Sequence, residues 1–193
     1  MHVIEKQLHL DHYHISRLLH CLQRNICHFE TAGAWAEHLS LILDALDYVK
    51  VYPEHWHHPV EDKIFAYIAK HYPQHAEVVA ALHAEHKDLE SLTRQLTNLF
   101  DAVANDTVVP MEQLSRMTRE FLLRQLAHIE RENELVYPLL GSCLDADDWK
   151  KLEAEIEEAR DPLFGVDLKN EYQSLHDHIM NTDTELQRVG AGG

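Results

Sequence analysis

The chain has 193 residues, of which 45% are hydrophobic, and this length suits one main core rather than several domains. Its 33 acidic residues against 17 basic ones give a formal net charge of −16, which disfavours binding to nucleic acid or to anionic membranes. No apolar run reaches the roughly 18 to 20 residues of a membrane span, and the N-terminus has no signal-peptide pattern. We therefore expect a cytoplasmic protein that binds neither nucleic acid nor membrane.

Apolar residues recur at helical spacing in four long segments that end at glycine, proline or other turn residues. The segments cover residues 3–29, 35–72, 74–104 and 110–141. Pro53 and Pro59 lie inside the second segment, where each removes a backbone N–H and is expected to kink the helix or split it in two. Pro110 is expected in the first turn of the fourth helix, which then continues toward Gly141.

These segments predict an all-α fold, with an antiparallel up-and-down four-helix bundle over residues 1–141. Residues 142–193 are predicted to form a C-terminal helical extension that packs on the bundle. The extension contains two additional helices, a charged one near residues 146–160 and an amphipathic one near 168–188, with a loop at 161–165 between them.

Four histidines, His12, His57, His86 and His128, have a spacing that relates them to the predicted turns. Two residues at the same height on consecutive antiparallel helices are equally distant from the turn between them, so the turn lies at their midpoint. The midpoints are 34.5, 71.5 and 107, and each lies beside glycine, proline or Asn-Asp. Although the chain has 17 histidines, His128 is the only one between residues 87 and 175. We therefore predict that the four histidines share one level of the bundle.

Two of these histidines are followed four residues later by a glutamate, in the pairs His57 with Glu61 and His128 with Glu132. Residues i and i+4 share a helix face, so both side chains of a pair can bind one cation. Imidazole and carboxylate ligands without thiolate disfavour a cysteine-rich zinc site and suit iron or manganese. A glutamate can bridge two ions with its two oxygens, so we predict two metals with open positions for a small molecule. The predicted ligands are His12, His57, Glu61, His86, His128 and Glu132.

Four stretches of the sequence resemble the ligand-bearing helices of the hemerythrin-like HHE cation-binding domain, in its bacterial form. They are LHLDHYHISRLLHCL, YPEHWHHPVEDKIFAYI, LHAEHKDLESL and LRQLAHIERENELVYPLL, within residues 4–141. The segments HHPVED and HIEREN are the most specific. The resemblance implies two iron ions with an oxo or hydroxo bridge, held at the same six residues.

Two departures from the oxygen-carrying members of that family concern the third and fourth helices. Those proteins have HxxxH on the third ligand helix, but Leu82 stands four residues before His86 here, and their HxxxxD on the fourth helix is replaced by HxxxE. Reversible oxygen carriage is therefore not assumed. A fifth histidine ligand remains open between His58, which follows His57, and His83, which lies one turn before His86.

Three functions fit this pattern, and the sequence leaves enzymatic turnover undecided. The first is a di-iron protein that binds or reacts with a small diatomic molecule or peroxide, such as dioxygen, nitric oxide or peroxide, as an oxidoreductase if it turns over. The second is a metal- or oxygen-responsive sensor or scaffold without turnover, which signals to a protein partner or forms a homodimer. The third is a histidine-rich metal buffer with many weak sites.

Overall fold

A computed structural model describes the backbone of residues 1–31, 35–157 and 160–190, and the side chains of residues 1–26, 38–157 and 160–181. Within these ranges every regular element is helical, which confirms the all-α prediction. The α-helices are α1 (Val3–Thr31), α2 (Trp35–Val51), α3 (His58–His71), α4 (Ala76–Ala104), α5 (Met111–Leu135), α6 (Tyr137–Cys143), α7 (Ala146–Glu153) and α8 (Gln173–Gly190). No helix in these ranges combines the length and the apolarity needed to cross a membrane.

The second predicted segment is split, as its prolines indicated. A π-helical turn, Pro53–His57, separates α2 from α3, and the amide of His57 bonds to the carbonyl of Tyr52 five residues earlier, at 3.2 Å. Pro53 begins this turn because it cannot donate the bond that would continue α2. Pro59 lies in the first turn of α3, where a missing N–H is tolerated.

The fourth predicted helix ends earlier than expected, at Leu135. Val136 caps α5 and also precedes α6, whose second residue is Pro138. Because Pro138 has no N–H to donate to the preceding turn, the α-helical ladder is interrupted here. Gly141, expected at the end of the segment, lies inside α6, which continues to Cys143. Pro110 is the N-cap of α5 rather than a residue of its first turn.

Helix α7 ends earlier, and helix α8 begins later, than the sequence predicted. Helix α7 begins with a capping box between Asp145 and Asp148 and ends at Glu153 rather than near residue 160. The last helix begins with a 3₁₀ turn at Asn170–Tyr172 and continues as α8. In the loop between them, a Cβ at Gly165 would lie 2.3 Å from the carbonyl oxygen of Asp161, so this close approach requires glycine.

Two apolar clusters fill the core, one above and one below a polar layer. Helix α1 packs against α2 and α5, and α4 packs against α2, α3 and α5. The first cluster includes Ile15, Leu96 and Ile129, and the second includes Leu8 and Leu82, all of them buried. Leu8 and Ile15 lie about two turns apart on α1, and Leu82 and Leu96 lie about four turns apart on α4. The predicted metal ligands on α1 and α4 lie between these levels, so the polar layer is enclosed by hydrophobic residues.

The first cluster should carry much of the stability of the metal-free protein. Leu96 is 0% exposed within it, whereas Leu123 on α5 is 70% exposed. We expect Leu96→Ala to lower the free energy of unfolding by about 2 to 5 kcal/mol, because it removes buried methyl groups and leaves a cavity. Leu123→Ala should change it by less than about 0.5 kcal/mol. Urea unfolding followed by circular dichroism measures both values, and equal effects of the two substitutions would contradict the assignment of the core.

Candidate metal centre

The six residues predicted as ligands come together in the polar layer between the two apolar clusters. His12 lies on α1, His57 ends the π-helical turn, and Glu61 lies in the first turn of α3. His86 comes from α4, and His128 and Glu132 come from α5. None of the six is more than 3% exposed. One buried cluster of four imidazoles and two carboxylates thus forms from five elements, which are α1, the π-helical turn, α3, α4 and α5.

The two glutamates divide their oxygens between two pairs of histidines. Glu61 places Oε1 3.5 Å from His12 Nε2 and 3.4 Å from His57 Nε2, and its Oε2 lies 3.5 Å from His86 Nε2. Glu132 places Oε2 3.2 Å from His12 Nε2, and its Oε1 lies 3.2 Å from Nε2 of both His86 and His128. Each carboxylate therefore faces the His12 and His57 pair with one oxygen and the opposite pair with the other.

His58, which the sequence left open as a fifth histidine, also points inward. Its side chain is buried, and its ring stacks on that of His86 with centroids 4.2 Å apart and planes 6° apart. It forms a cluster of potential ligand atoms with Glu61, His86 and His128. Adjacent residues of a regular α-helix point about 100° apart, and the π-helical turn ends between His57 and His58, where this regularity is broken.

His83, the other candidate, lies outside the buried layer. Its side chain is 45% exposed and its Nδ1 contacts Asp62 Oδ1 at 2.6 Å, on the outer side of His86. Leu82, one residue earlier, packs in the second apolar cluster. Asp62, His83 and His86 form a separate group of potential ligands near the surface.

Each of the four predicted histidines has a partner for its second ring nitrogen on another segment. Nδ1 faces an oxygen of Asn133 for His12 at 3.0 Å, of Asp11 for His57 at 3.1 Å, of Asp62 for His86 at 2.7 Å and of Glu85 for His128 at 3.0 Å. When Nδ1 donates to such an oxygen, the ring is held in place and Nε2 keeps its lone pair for a metal. Sequence analysis missed these four partners, although each is adjacent in sequence to a predicted ligand.

Tyr137 is a further residue of the centre that the sequence did not single out. Its hydroxyl donates to Glu61 Oε1 at 2.7 Å and lies 3.0 Å from His12 Nε2. Tyr52 approaches from the other side, where its hydroxyl donates to Asp11 Oδ1 at 3.2 Å. Burial, followed by the nearby carboxylates, raises the pKa of the Tyr137 phenol well above its ordinary value. No periodicity points to Tyr137, because the helix break at Val136 sets its direction.

Protons on the imidazoles balance the buried carboxylates in the metal-free protein. Burial is the largest single effect and opposes a charge on His12, but the contacts with Glu132 and Glu61 and the charges of these carboxylates together outweigh it and raise the pKa of His12 to about 10. Burial also acts to lower the pKa of His86, but bonds to Asp62 and Glu132 and the nearby carboxylate charges raise it to about 10. Although burial acts to raise the pKa of Glu132, bonds from His12, His128 and His86 hold it well below its usual value.

The residues present fit a bound cation better than they fit one another. Four buried atoms of this cluster, Nδ1 of His58, Oε2 of Glu61, Nε2 of His128 and Oε2 of Glu132, make no hydrogen bond of good geometry, although the last three have ion-pair contacts at 3.2 to 3.5 Å. A buried polar atom without a partner lowers stability by roughly 1 to 3 kcal/mol, and more if it is charged. Imidazole nitrogen and carboxylate oxygen are also ordinary ligands of divalent transition metals. The orphaned atoms and the donor chemistry therefore agree with a cation site.

The raised pKa values predict how the metal-free protein responds to pH. His12 and His86 have pKa values of about 10 when folded against 6.5 as the reference. Their contribution to stability is therefore complete below pH 6.5 and is lost as the pH rises through 10. We expect the free energy of unfolding from urea titrations to decrease over this range. The decrease should be shallower in His12→Gln and unchanged in the α8 control His176→Gln. Equal slopes in all three proteins would contradict this account.

Comparison with known proteins places the chain in a family. The model of the hemerythrin HHE cation-binding domain matches residues 3–140, which is more than half of the chain and ends within α6. No curated protein matches the sequence significantly. The matched region contains all six predicted ligands and the four partners of their second ring nitrogens. The chain belongs to the hemerythrin HHE cation-binding domain family, and its buried histidine and glutamate cluster is a candidate site for the cation.

Proposed function

We propose that this protein holds two iron ions and that the centre binds or reacts with a small oxidant such as dioxygen, nitric oxide or peroxide. The observation that carries this proposal is the division of both glutamates between two histidine pairs. A carboxylate with one oxygen toward each pair suits a bridge between two ions, whereas a single ion would leave the other oxygens and one pair unused. Family membership supports cation binding, and iron suits the nitrogen and oxygen donors.

In this proposal the six predicted residues are the ligands, and His58 is a seventh. His12 and His57 would hold one iron, His86 and His128 would hold the other, and Glu61 and Glu132 would each offer one oxygen to either ion. The distances of 3.2 to 3.5 Å between the imidazole nitrogens and carboxylate oxygens are those of donor atoms around a shared ion. His58 belongs with the second pair because its ring stacks on His86. Seven protein donors, with two bridging glutamates, leave positions open for a small molecule.

The chain's own residues keep the centre dry and oriented. Bound iron supplies the capacity to exchange electrons with an oxidant. Phe65 packs against the His86 ring at 5.9 Å and also lines a cavity of about 190 Å³ that includes Asp62 and His83.

The helix arrangement and the domain division form part of the same proposal. The contacts of α1 with α5 and of α4 with α3 and α5 support an antiparallel up-and-down bundle of four long helical segments over residues 1–141. Residues 142–193 are then an extension, and Trp149 of α7 and Ile179 of α8 are buried against the two core clusters. The unbridged thiol of Cys143 and the net charge of −16 support a cytoplasmic protein without nucleic-acid or membrane partners.

A sensor or scaffold without turnover is the second candidate, because the extension is bonded to the segment that carries His57. The indole of Trp56 donates to the carbonyl of Glu157 at 2.8 Å, and the hydroxyl of Tyr48 on α2 donates to Asp161 at 3.1 Å. A change at the centre could therefore reach the C-terminal segment and a protein partner or second copy bound there. In this case an oxidant changes protease sensitivity or oligomeric state while the protein is not a catalyst.

Metal analysis tests the di-iron proposal directly. Protein reconstituted with ferrous iron under anaerobic conditions should hold close to two irons per chain. Its absorption spectrum should change on addition of dioxygen, nitric oxide or peroxide. Iron at trace levels would refute the proposal, and many weakly bound ions would favour a metal buffer. Two tightly bound irons that react without turnover, together with an altered protease pattern, would favour the sensor.

Substitution of α5 ligands tests the assignment of residues. His128→Ala and Glu132→Ala should each lower the iron content and the melting temperature of iron-loaded protein, because bound metal stabilises the folded state and ties several helices together. His176→Ala on α8 is the matched control and should change neither value. Full iron content in His128→Ala would show that the centre lies elsewhere.

A further inference from the structure

Tyr137 is held in a fixed position beside one pair of histidines. It is the first residue of α6 and is 3% exposed. Its ring stacks on that of His12, with centroids 4.6 Å apart and planes 7° apart, and the ring of His9 packs edge-on at 4.7 Å. Because these two contacts fix the ring plane, the direction of the hydroxyl is determined by the fold rather than by a free rotamer.

The position of the hydroxyl oxygen fits a metal ligand. Two ligand atoms at right angles around an ion are about 3 Å apart when each lies about 2.1 Å from it. Tyr137 Oη lies 2.7 Å from Glu61 Oε1 and 3.0 Å from His12 Nε2. Both neighbours are proposed ligands on the same side of the centre. Once His12 Nε2 binds a metal, its lone pair is no longer available to the phenol, whose oxygen then lies at the distance expected of a neighbouring ligand.

We propose that Tyr137 is an oxygen ligand of the iron bound by His12 and His57. This inference rests on the proposed di-iron centre and makes its two sides different. Tyr137 adds an oxygen donor to the first histidine pair, and His58 adds a nitrogen donor to the second. As the iron–oxygen bond forms with ferric iron, the O–H bond breaks and the proton leaves to solvent, so that no electron is transferred in the step.

The alternative role for Tyr137 is to donate a hydrogen bond to Glu61 from outside the coordination sphere. The two roles differ in the electronic spectrum. A phenolate bound to ferric iron has a charge-transfer absorption in the visible region, and excitation into that band enhances the ring vibrations of the tyrosine in the Raman spectrum. A hydrogen-bonded phenol gives neither signal, and imidazole and carboxylate ligands do not give the ring vibrations.

The experiment is to oxidise the iron-loaded protein and record its visible and resonance Raman spectra. We expect a phenolate absorption band in the visible spectrum. We also expect tyrosine ring vibrations in the Raman spectrum that shift when the protein is produced with ring-deuterated tyrosine. Tyr137→Phe should keep close to two irons and lose the band. Tyr48→Phe is the control, at a buried tyrosine whose hydroxyl bonds to Asp161, and it should keep both the two irons and the band.

The outcomes separate this inference from the proposed function. Two irons per chain without a phenolate band would overturn ligation by Tyr137 and leave the di-iron centre standing. A band that persists in Tyr137→Phe would assign it to another tyrosine and would also overturn the inference. Failure to load iron would instead refute the di-iron proposal. If Tyr137→Phe does not fold, the isotope shift shows whether a tyrosine is bound, and Tyr52→Phe, at the tyrosine that bonds to Asp11, shows whether it is that one. A band kept in Tyr52→Phe would support Tyr137, and a band lost there would overturn the inference.

Discussion

The burial of Glu61 and Glu132 is the constraint on which the rest of the structure depends. Both carboxylates are 0% exposed, in a layer between two apolar clusters. An uncompensated carboxylate in such surroundings costs several kcal/mol, which is comparable with the whole stability of a domain of this size. Positive charge must therefore be brought to them, and the imidazoles of four segments converge on these oxygens. Protons supply that charge in the metal-free protein, and two cations would supply it more completely.

The partners of the second ring nitrogens connect the ligand segments in a closed ring. Asp11 of α1 bonds to His57, and Asp62 of α3 bonds to His86. The ring continues from Glu85 of α4 to His128 and closes from Asn133 of α5 to His12. Each partner is adjacent in sequence to a proposed ligand of its own segment.

The ring follows from helix geometry. Two adjacent residues of a helix point about 100° apart, so a residue beside an inward ligand faces the neighbouring helix. There it meets the outer edge of that helix's histidine. Two of these outer residues reach the surface, where Asp62 contacts His83 and Glu85 contacts Arg131. On each segment, two adjacent residues thus have different tasks. One points into the centre, and the other bonds to the histidine of the neighbouring helix and fixes the relative height of the two helices.

The sequence was sufficient for the parts of the molecule that follow regular periodicity. Helix positions could be predicted because proline and glycine mark the ends of long apolar repeats, and the ends of α3 and α4 lie close to the midpoints 71.5 and 107. The midpoint 34.5 lies at the edge of residues outside the described part of the chain. The six predicted ligand positions come together, as the i and i+4 spacing and the equal distances from the turns indicated.

Where the backbone departs from the regular helix, the sequence left His58 undecided and did not single out Tyr137. The inward direction of His58 depends on the π-helical turn, and that of Tyr137 depends on the break at Val136. Proline marks both places, but it indicates only that a helix is interrupted and not how the next residue is turned. The ring of outer partners was also missed, because its bonds join different segments and require the relative rotation of the helices.

The same two irregularities distinguish the two sides of the centre. Regular helices offer ligands only every three or four residues on one face. The four histidines obtained in this way form two pairs, one on each side of the two glutamate carboxylates. His58 enters beside the His86 and His128 pair, and Tyr137 enters beside the His12 and His57 pair. In the proposed di-iron centre His58 would add nitrogen and Tyr137 would add oxygen, so the two ions would not experience the same field. The asymmetry therefore originates in Pro53 and Pro138, outside the set of ligands, through their effect on the backbone that carries His58 and Tyr137.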